Sequence, residues 1–324
     1  MRCLVATLLL VSACAPLGAP GPAALPQRSL GDAGPRGLPF AADWRIRALA
    51  RELTRRARTD FQKLTCLMAY FRRMDFSRSY SRLGTLTASQ ALSTGGGNCL
   101  AYANLFVAMA RAAGLDARFA ALRAEHRQLE PSGGLLVDWG HLAVQVRLRD
   151  RVLVVDFDGR TQPIRLYEPV SDQRAAAEYY NNLGYELART PGHGMAAPEV
   201  AEAFRRAVAV QPDFAWAWNN LGVALARAGR GDEAERAYHM AASADPALAA
   251  PHANLGLLHL RQGRSAHAVE AFERALERKP DCKAYRVFLE RARKADRWQR
   301  NAETAPAADD APLRQGAPGS EDPA

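Results

Sequence analysis

The sequence predicts an α+β domain, with helices packed on an antiparallel sheet, followed by an all-α solenoid of paired helices. Three observations carry this. A glycine run, Gly95-Gly96-Gly97, ends at Asn98-Cys99, and an alanine-rich helical pattern starts at once and runs to Ala110. Two β-rich runs, Leu142–Leu148 and Val152–Phe157, follow it, separated by Arg149-Asp150-Arg151, and read as a hairpin. From about Ala177 onward, alanine-rich helices recur with a period of 34 residues.

A chain of 324 residues has room for two domains and a sizeable core. Its 48% apolar and 24% charged content is that of globular protein and excludes a wholly disordered chain. The first residues read as a processing signal over 1–13: Arg2 supplies a positive charge and Leu4–Val11 an apolar run too short to span a bilayer. The run closes in Val11-Ser12-Ala13-Cys14, which resembles the bacterial lipoprotein box. That resemblance implies cleavage before Cys14, lipidation of its thiol and a membrane anchor. Ala15 after it, in place of Asp, implies the periplasmic face of the outer membrane within a bacterial cell envelope.

The Pro-, Gly- and Ala-rich stretch 14–40 reads as a disordered tether. Ala42–Arg58 carries Ile46, Ala50, Leu53 and Ala57 at helical spacing, and Asp60–Met74 carries Phe61, Leu64, Leu67, Met68 and Phe71 on one face. Ser89–Leu92 reads as a short helix. Gly114 stops the Cys99 helix, Ala117–Leu122 is a strand, and Arg123–Gly134 a surface excursion. The first domain is therefore expected over 41–172.

In the second half, Asn220-Leu221-Gly222 recurs as Asn254-Leu255-Gly256, Ala234 as Ala268, Tyr238 as Phe272, Ala241 as Ala275 and Pro246 as Pro280. Asn182-Leu183-Gly184, Phe204, Ala207 and Pro212 form an earlier copy, with extra residues at Thr190–Gly194. The pattern resembles the tetratricopeptide repeat, with repeats at about 177–214, 215–248 and 249–282, and a capping helix to about 300. Small residues let two antiparallel helices approach, and the aromatics are expected to fill gaps between neighbouring pairs. Residues 301–324, with a net charge of −4 from five acids and Arg314, read as a disordered tail. By register, Asn181, Tyr185, Asn219, Val223, Arg227, Leu257 and Arg261 are candidates for a concave peptide groove that takes a protein partner.

Net charge is +9, with ten Arg or Lys against four Asp or Glu over residues 41–80. On an anchored protein such charge favours an anionic surface, and as solubilising arginine it needs no partner. No nucleic-acid motif is present, and no nucleic-acid partner is expected. Cys66, Cys99 and Cys282 lie far apart, and the histidines lack ligand spacing, so no metal and no cofactor are expected.

Cys99 at a helix N-terminus is set where backbone N–H groups and the helix dipole favour a thiolate. A thiolate nucleophile needs a base and an orienting acid. His141 starts the first hairpin strand, and Asp156 and Asp158 end the second. A two-residue turn sets His141 opposite Asp158, a four-residue turn opposite Asp156, and both acids share its face.

The glycine-to-cysteine helix start, the helix ending in Gly114-Leu115-Asp116-Ala117-Arg118 and the paired His and Asp strands resemble the transglutaminase-like fold of papain-type cysteine enzymes over roughly residues 45–170. The resemblance implies Cys99 as nucleophile, His141 as base and Asp156 as orienting acid, without a metal. It implies hydrolysis or acyl transfer at an amide of a peptide or protein substrate through a thioester. Two residues depart from the family: Ala143 stands where a tryptophan is usual, and Phe157 where a proline follows the acid. The second oxyanion donor is unassigned, with Gln90 a candidate amide. The alternative reading is a non-catalytic scaffold or assembly lipoprotein whose first domain only binds peptide.

Overall fold

The computed structural model describes residues 38–74, 84–122, 129–132, 135–138, 142–157 and 167–304. The signal segment, Cys14, His126, His141 and Asp158 lie outside the described residues.

Helix α1 (Trp44–Thr54) is capped by Asp43, which accepts from the Ile46 N–H at 2.9 Å. Helix α2 (Asp60–Arg73) opens with a capping box of Thr59 and Gln62. It buries Leu64, Leu67, Tyr70 and Phe71; Phe61, in its first turn, faces outward at 39% exposure. Helix α3 (Ala88–Thr94) ends at Gly95 in the left-handed region, and helix α4 (Cys99–Ala112) follows. Almost every residue of α4 is buried, because α1, α2 and α3 pack around it and a sheet closes its remaining side.

That sheet has the order β5-β4-β1-β6, from β1 (Asp116–Leu122), β4 (Leu142–Arg147), β5 (Val152–Val155) and β6 (Tyr167–Pro169), all antiparallel. Val144 pairs with Val155 and Arg147 with Val152, and the Leu148 N–H donates to Arg151 O at 2.8 Å. The turn is therefore the two-residue Arg149-Asp150 form. One face (Phe119, Leu142, Val144, Val146 and Val155) joins the core with α4. The 123–134 excursion contains β2 (Leu129–Ser132), which pairs with β3 (Leu135–Asp138) in a separate antiparallel ribbon.

Residues 38–40, which the composition groups with the 14–40 stretch, pack against the first domain. Phe40 is buried edge-on against Phe119 at 4.9 Å, and Pro39 O accepts from the Ala88 N–H at 2.7 Å. An aromatic at the end of a Pro/Gly-rich stretch finds a core pocket and orders its neighbours.

Helices α5 (Asp172–Arg189) and α6 (Pro198–Val210), α7 (Ala215–Arg227) and α8 (Gly231–Ala244), and α9 (Ala249–Arg261) and α10 (Ser265–Arg278) form three pairs. Helix α11 (Lys283–Thr304) covers the last and runs into the segment read as tail. Glycine recurs for a packing reason. A Cβ at Gly184, Gly222 or Gly256 would stand 2.8, 2.5 or 2.7 Å from the ring of Phe204, Tyr238 or Phe272. Each ring sits on the glycine of its own pair, not between pairs, so the recurrent aromatic sets the intra-pair spacing.

No flexible linker separates the halves. Helix α5 begins directly after β6, its residues from Ala175 to Leu187 are buried, and the core runs continuously from α1 into the repeats. Asp172 and Arg111 of α4 form a bidentate pair at 2.7 and 2.8 Å.

Two buried histidines lie on α9. Burial, with Arg278 and Arg274 nearby, pulls His252 from the ordinary 6.5 down to about 4, and burial lowers His259. The folded state resists their protonation, whereas the unfolded chain takes up protons below about 6.5. Stability is therefore expected to fall as pH drops from about 6.5 towards 4. Denaturant midpoints across that window check this, and His252→Gln flattens the slope.

Candidate functional site

Cys99 is the first residue of α4 and is half-buried, whereas Leu100 through Ala110 are buried without a break. The thiol thus sits where the helix meets the surface. Asn98 is the N-cap: its Oδ1 accepts from the Ala101 N–H at 3.0 Å, and its own N–H donates to Gly84 O at 2.9 Å. Gly97 adopts φ 141°, and a Cβ there would lie 2.5 Å from Ala101 Cβ and 3.0 Å from Gly84 O. Only glycine lets the chain enter this helix so close to the 84–87 segment.

Asp156 follows directly on Val155, the last residue of β5. Its neighbour Phe157 is buried, stacked on Tyr102 at 6.2 Å and packed against Phe106 at 5.7 Å and Phe71 at 5.6 Å. Tyr102 lies one turn beyond Cys99, and its hydroxyl donates to Gly95 O at 3.2 Å. Phe157 therefore pins the end of β5, and Asp156 with it, to the first turns of α4. Burying such a ring stabilises by about 2 kcal/mol.

Asp156 is half-buried, and its Oδ2 accepts a hydrogen bond from the Tyr167 hydroxyl. Tyr167 stands on β6, with β1 and β4 lying between it and β5. Its ring crosses the sheet over Ala120 and Ala143, both fully buried, with Val154 beside it. Gln145 Nε2 donates to Tyr167 O at 3.4 Å. Alanine at 143 leaves room for this crossing. A donor to a carboxylate holds its orientation.

Gln90 Oε1 is used in the capping box of α3, accepting from the Thr87 N–H at 2.9 Å. Among the described residues, no cluster of His, Cys, Asp and Glu is placed to hold a metal ion.

The groove candidates divide. Asn181, Tyr185, Asn219 and Val223 are buried; Leu257 is half-buried, and Arg227 and Arg261 are exposed. Asn181 Oδ1 accepts from Asn220 Nδ2 at 3.0 Å, and Asn219 Oδ1 from Asn254 Nδ2 at 2.9 Å. These asparagines join successive repeats, and β3 lies near α7. As the molecule stands, they satisfy interhelix polar groups and do not line an open groove.

Residues 47–157 match the transglutaminase-like superfamily model, and residues 213–281 match the tetratricopeptide repeat model. A transglutaminase-like domain is joined to tetratricopeptide repeats. Among solved structures, the chain is similar to MamA (25% identity, TM-score 0.30, covering 34% of this chain and 66% of that one). A second MamA structure gives 19% identity and a TM-score of 0.34, covering 41% and 74%. The Sgt2 repeat domain from Aspergillus fumigatus gives 20% and 0.32, covering 37% and 78%. The chain thus spans just under two thirds of the first of these. No match is found among the curated proteins.

Sequence reasoning names Cys99 and Asp156 as candidates, but not the N-cap role of Asn98 or the contact of Tyr167 with Asp156. Asn98 carries a legible signal, an N-cap residue type directly before an apolar helical run. Tyr167 carries none, since two strands, β1 and β4, intervene between it and its partner. Gly97→Ala is expected to destabilise the domain by about 2 kcal/mol or more, from positive φ and overlap combined, measured by chemical denaturation.

Proposed function

We propose that this chain is a lipid-anchored cysteine enzyme of a bacterial cell envelope. It acts on amide bonds of a peptide or protein by hydrolysis or acyl transfer through a thioester, and its repeats recruit a protein partner. The observation that carries the reading is a half-exposed thiol at the capped N-terminus of an otherwise buried helix, with Asp156 pinned beside that helix by Phe157.

Cys99 is the nucleophile in this reading. His141, the residue before β4, takes its proton, and Asp156 orients the imidazole and stabilises its cation. Attack on a carbonyl carbon gives a tetrahedral oxyanion, to which the Cys99 backbone N–H donates. Collapse expels the amine, protonated by His141, and leaves a thioester. Water or a second amine then releases the acyl group. Tyr167 keeps Asp156 turned to its task from the far side of the sheet. The repeats support protein–protein interaction in general, with Arg227, Leu257 and Arg261 the groove candidates that remain accessible. The anchor rests on the Val11–Cys14 box, and Cys14→Ser is expected to release the protein from membranes; retention in the membrane fraction would count against it.

An electrophilic thiol probe tests the chemistry. Cys99 is expected to react faster than Cys66 and Cys282, which are also half-buried and serve as references in the same molecule. Equal labelling of all three would overturn the nucleophile assignment and favour a non-catalytic, peptide-binding role. Tyr167→Phe removes one charge-assisted hydrogen bond and is expected to lower the Cys99 rate by about tenfold without unfolding the sheet.

A further inference from the structure

Glu186 is a carboxylate 2% exposed, on the first helix of the repeats and facing the 84–87 segment of the transglutaminase-like domain. Its Oε1 accepts from the Thr85 N–H at 2.9 Å and from the Thr85 hydroxyl at 2.6 Å. Thr85 Oγ1 accepts from Asn98 Nδ2 at 2.7 Å. Asn98 Oδ1 then accepts from the Ala101 N–H at 3.0 Å, closing the first turn of α4. Thr85 and Asn98 are buried, so water does not compete for these bonds.

The chain of bonds has a direction. An ionised carboxylate only accepts, and a hydroxyl has one proton. With that proton committed to Glu186, Thr85 can only accept from Asn98. Asn98 must then turn its NH2 towards Thr85 and its carbonyl towards the helix. In the opposite orientation, the amide would point N–H groups at the unpaired N–H groups of α4 and could not cap it. The acceptor at one end therefore decides whether the helix carrying Cys99 is closed at the other.

We infer that Glu186 is a positioning residue for Cys99, acting through Thr85 and Asn98, so that the first repeat completes the site of the transglutaminase-like domain. This rests on the reading of Cys99 as the nucleophile. Helix α5 then has two roles: it opens the repeat array and sets the hydrogen-bond polarity at the nucleophile's first turn. The Asp172–Arg111 pair fixes the start of α5 to the end of α4, so the same two helices are tied at both ends.

The test measures iodoacetamide alkylation of the full chain against pH at Cys99, Cys66 and Cys282, resolved by peptide mass spectrometry. Glu186→Leu is expected to slow Cys99 about fivefold, the scale of a lost N-cap, and to raise its pH midpoint, with the two reference thiols unchanged. Glu186→Gln, whose carbonyl can accept the same two bonds, is expected to keep most of the rate. Thr85→Val keeps the residue's shape and its N–H bond to Glu186 but cuts the link to Asn98, so it should reproduce the Glu186→Leu profile even where that variant folds poorly. A wild-type Cys99 profile in Thr85→Val overturns the inference, as does a change shared by all three thiols, which is the mark of general loosening. A wild-type protein in which Cys99 is no faster than Cys66 and Cys282 overturns the nucleophile reading itself, a result distinct from selective labelling that survives in the variants.

Discussion

The first turn of α4 has N–H groups that no residue within the helix can satisfy, and one of the residues bearing them is Cys99. Much of the surrounding structure serves that boundary. Asn98 caps it, Gly97 lets the chain approach without a Cβ, and Gly84 receives the Asn98 N–H. The 84–87 segment is in turn held by α4 through Asn104, which donates to Leu86 O, and by α5 through Glu186. Closure from outside the helix holds this boundary rigidly without using the Cys99 side chain.

The two positions at which the resemblance leads one to expect other residues have local packing roles. Phe157 anchors the end of β5 over Tyr102 and Phe106. Ala143, with Ala120, packs under Tyr167, which reaches Asp156. A large residue at 143 would occupy that space. The compensation is spatial: bulk absent from β4 is supplied by β6.

In the repeats, spacing within each pair is set by a ring seated on a glycine, and neighbouring pairs are joined by a ladder of asparagine amides. The ladder residues Asn181 and Asn219 are buried, and β3 lies near α7. Accessible groove positions therefore shift to Arg227 and the third repeat, where Leu257 and Arg261 lie. Because α5 is buried against the first domain, the array is part of one body with it and not an appendage on a linker.

The sequence by itself determined the fold class, the 34-residue period, the hairpin and the placement of Cys99 at a helix start. Each of these depends on residues close in the chain: glycine and asparagine at a helix boundary, alternation along a strand, or a recurrent small–aromatic pattern. The turn length stayed open, and with it which aspartate stands opposite position 141, since Arg149-Asp150-Arg151 is compatible with more than one register. The ordering of Phe40 and the burial of Asn181 and Asn219 were not legible either. Tyr167 with Asp156 and Glu186 with Thr85 bring together residues 11 and 101 positions apart, joined only once the sheet has formed and α5 has docked. Burial decides these contacts: a carboxylate or amide removed from water must find a partner, and which partner is near is a property of the assembled tertiary structure alone.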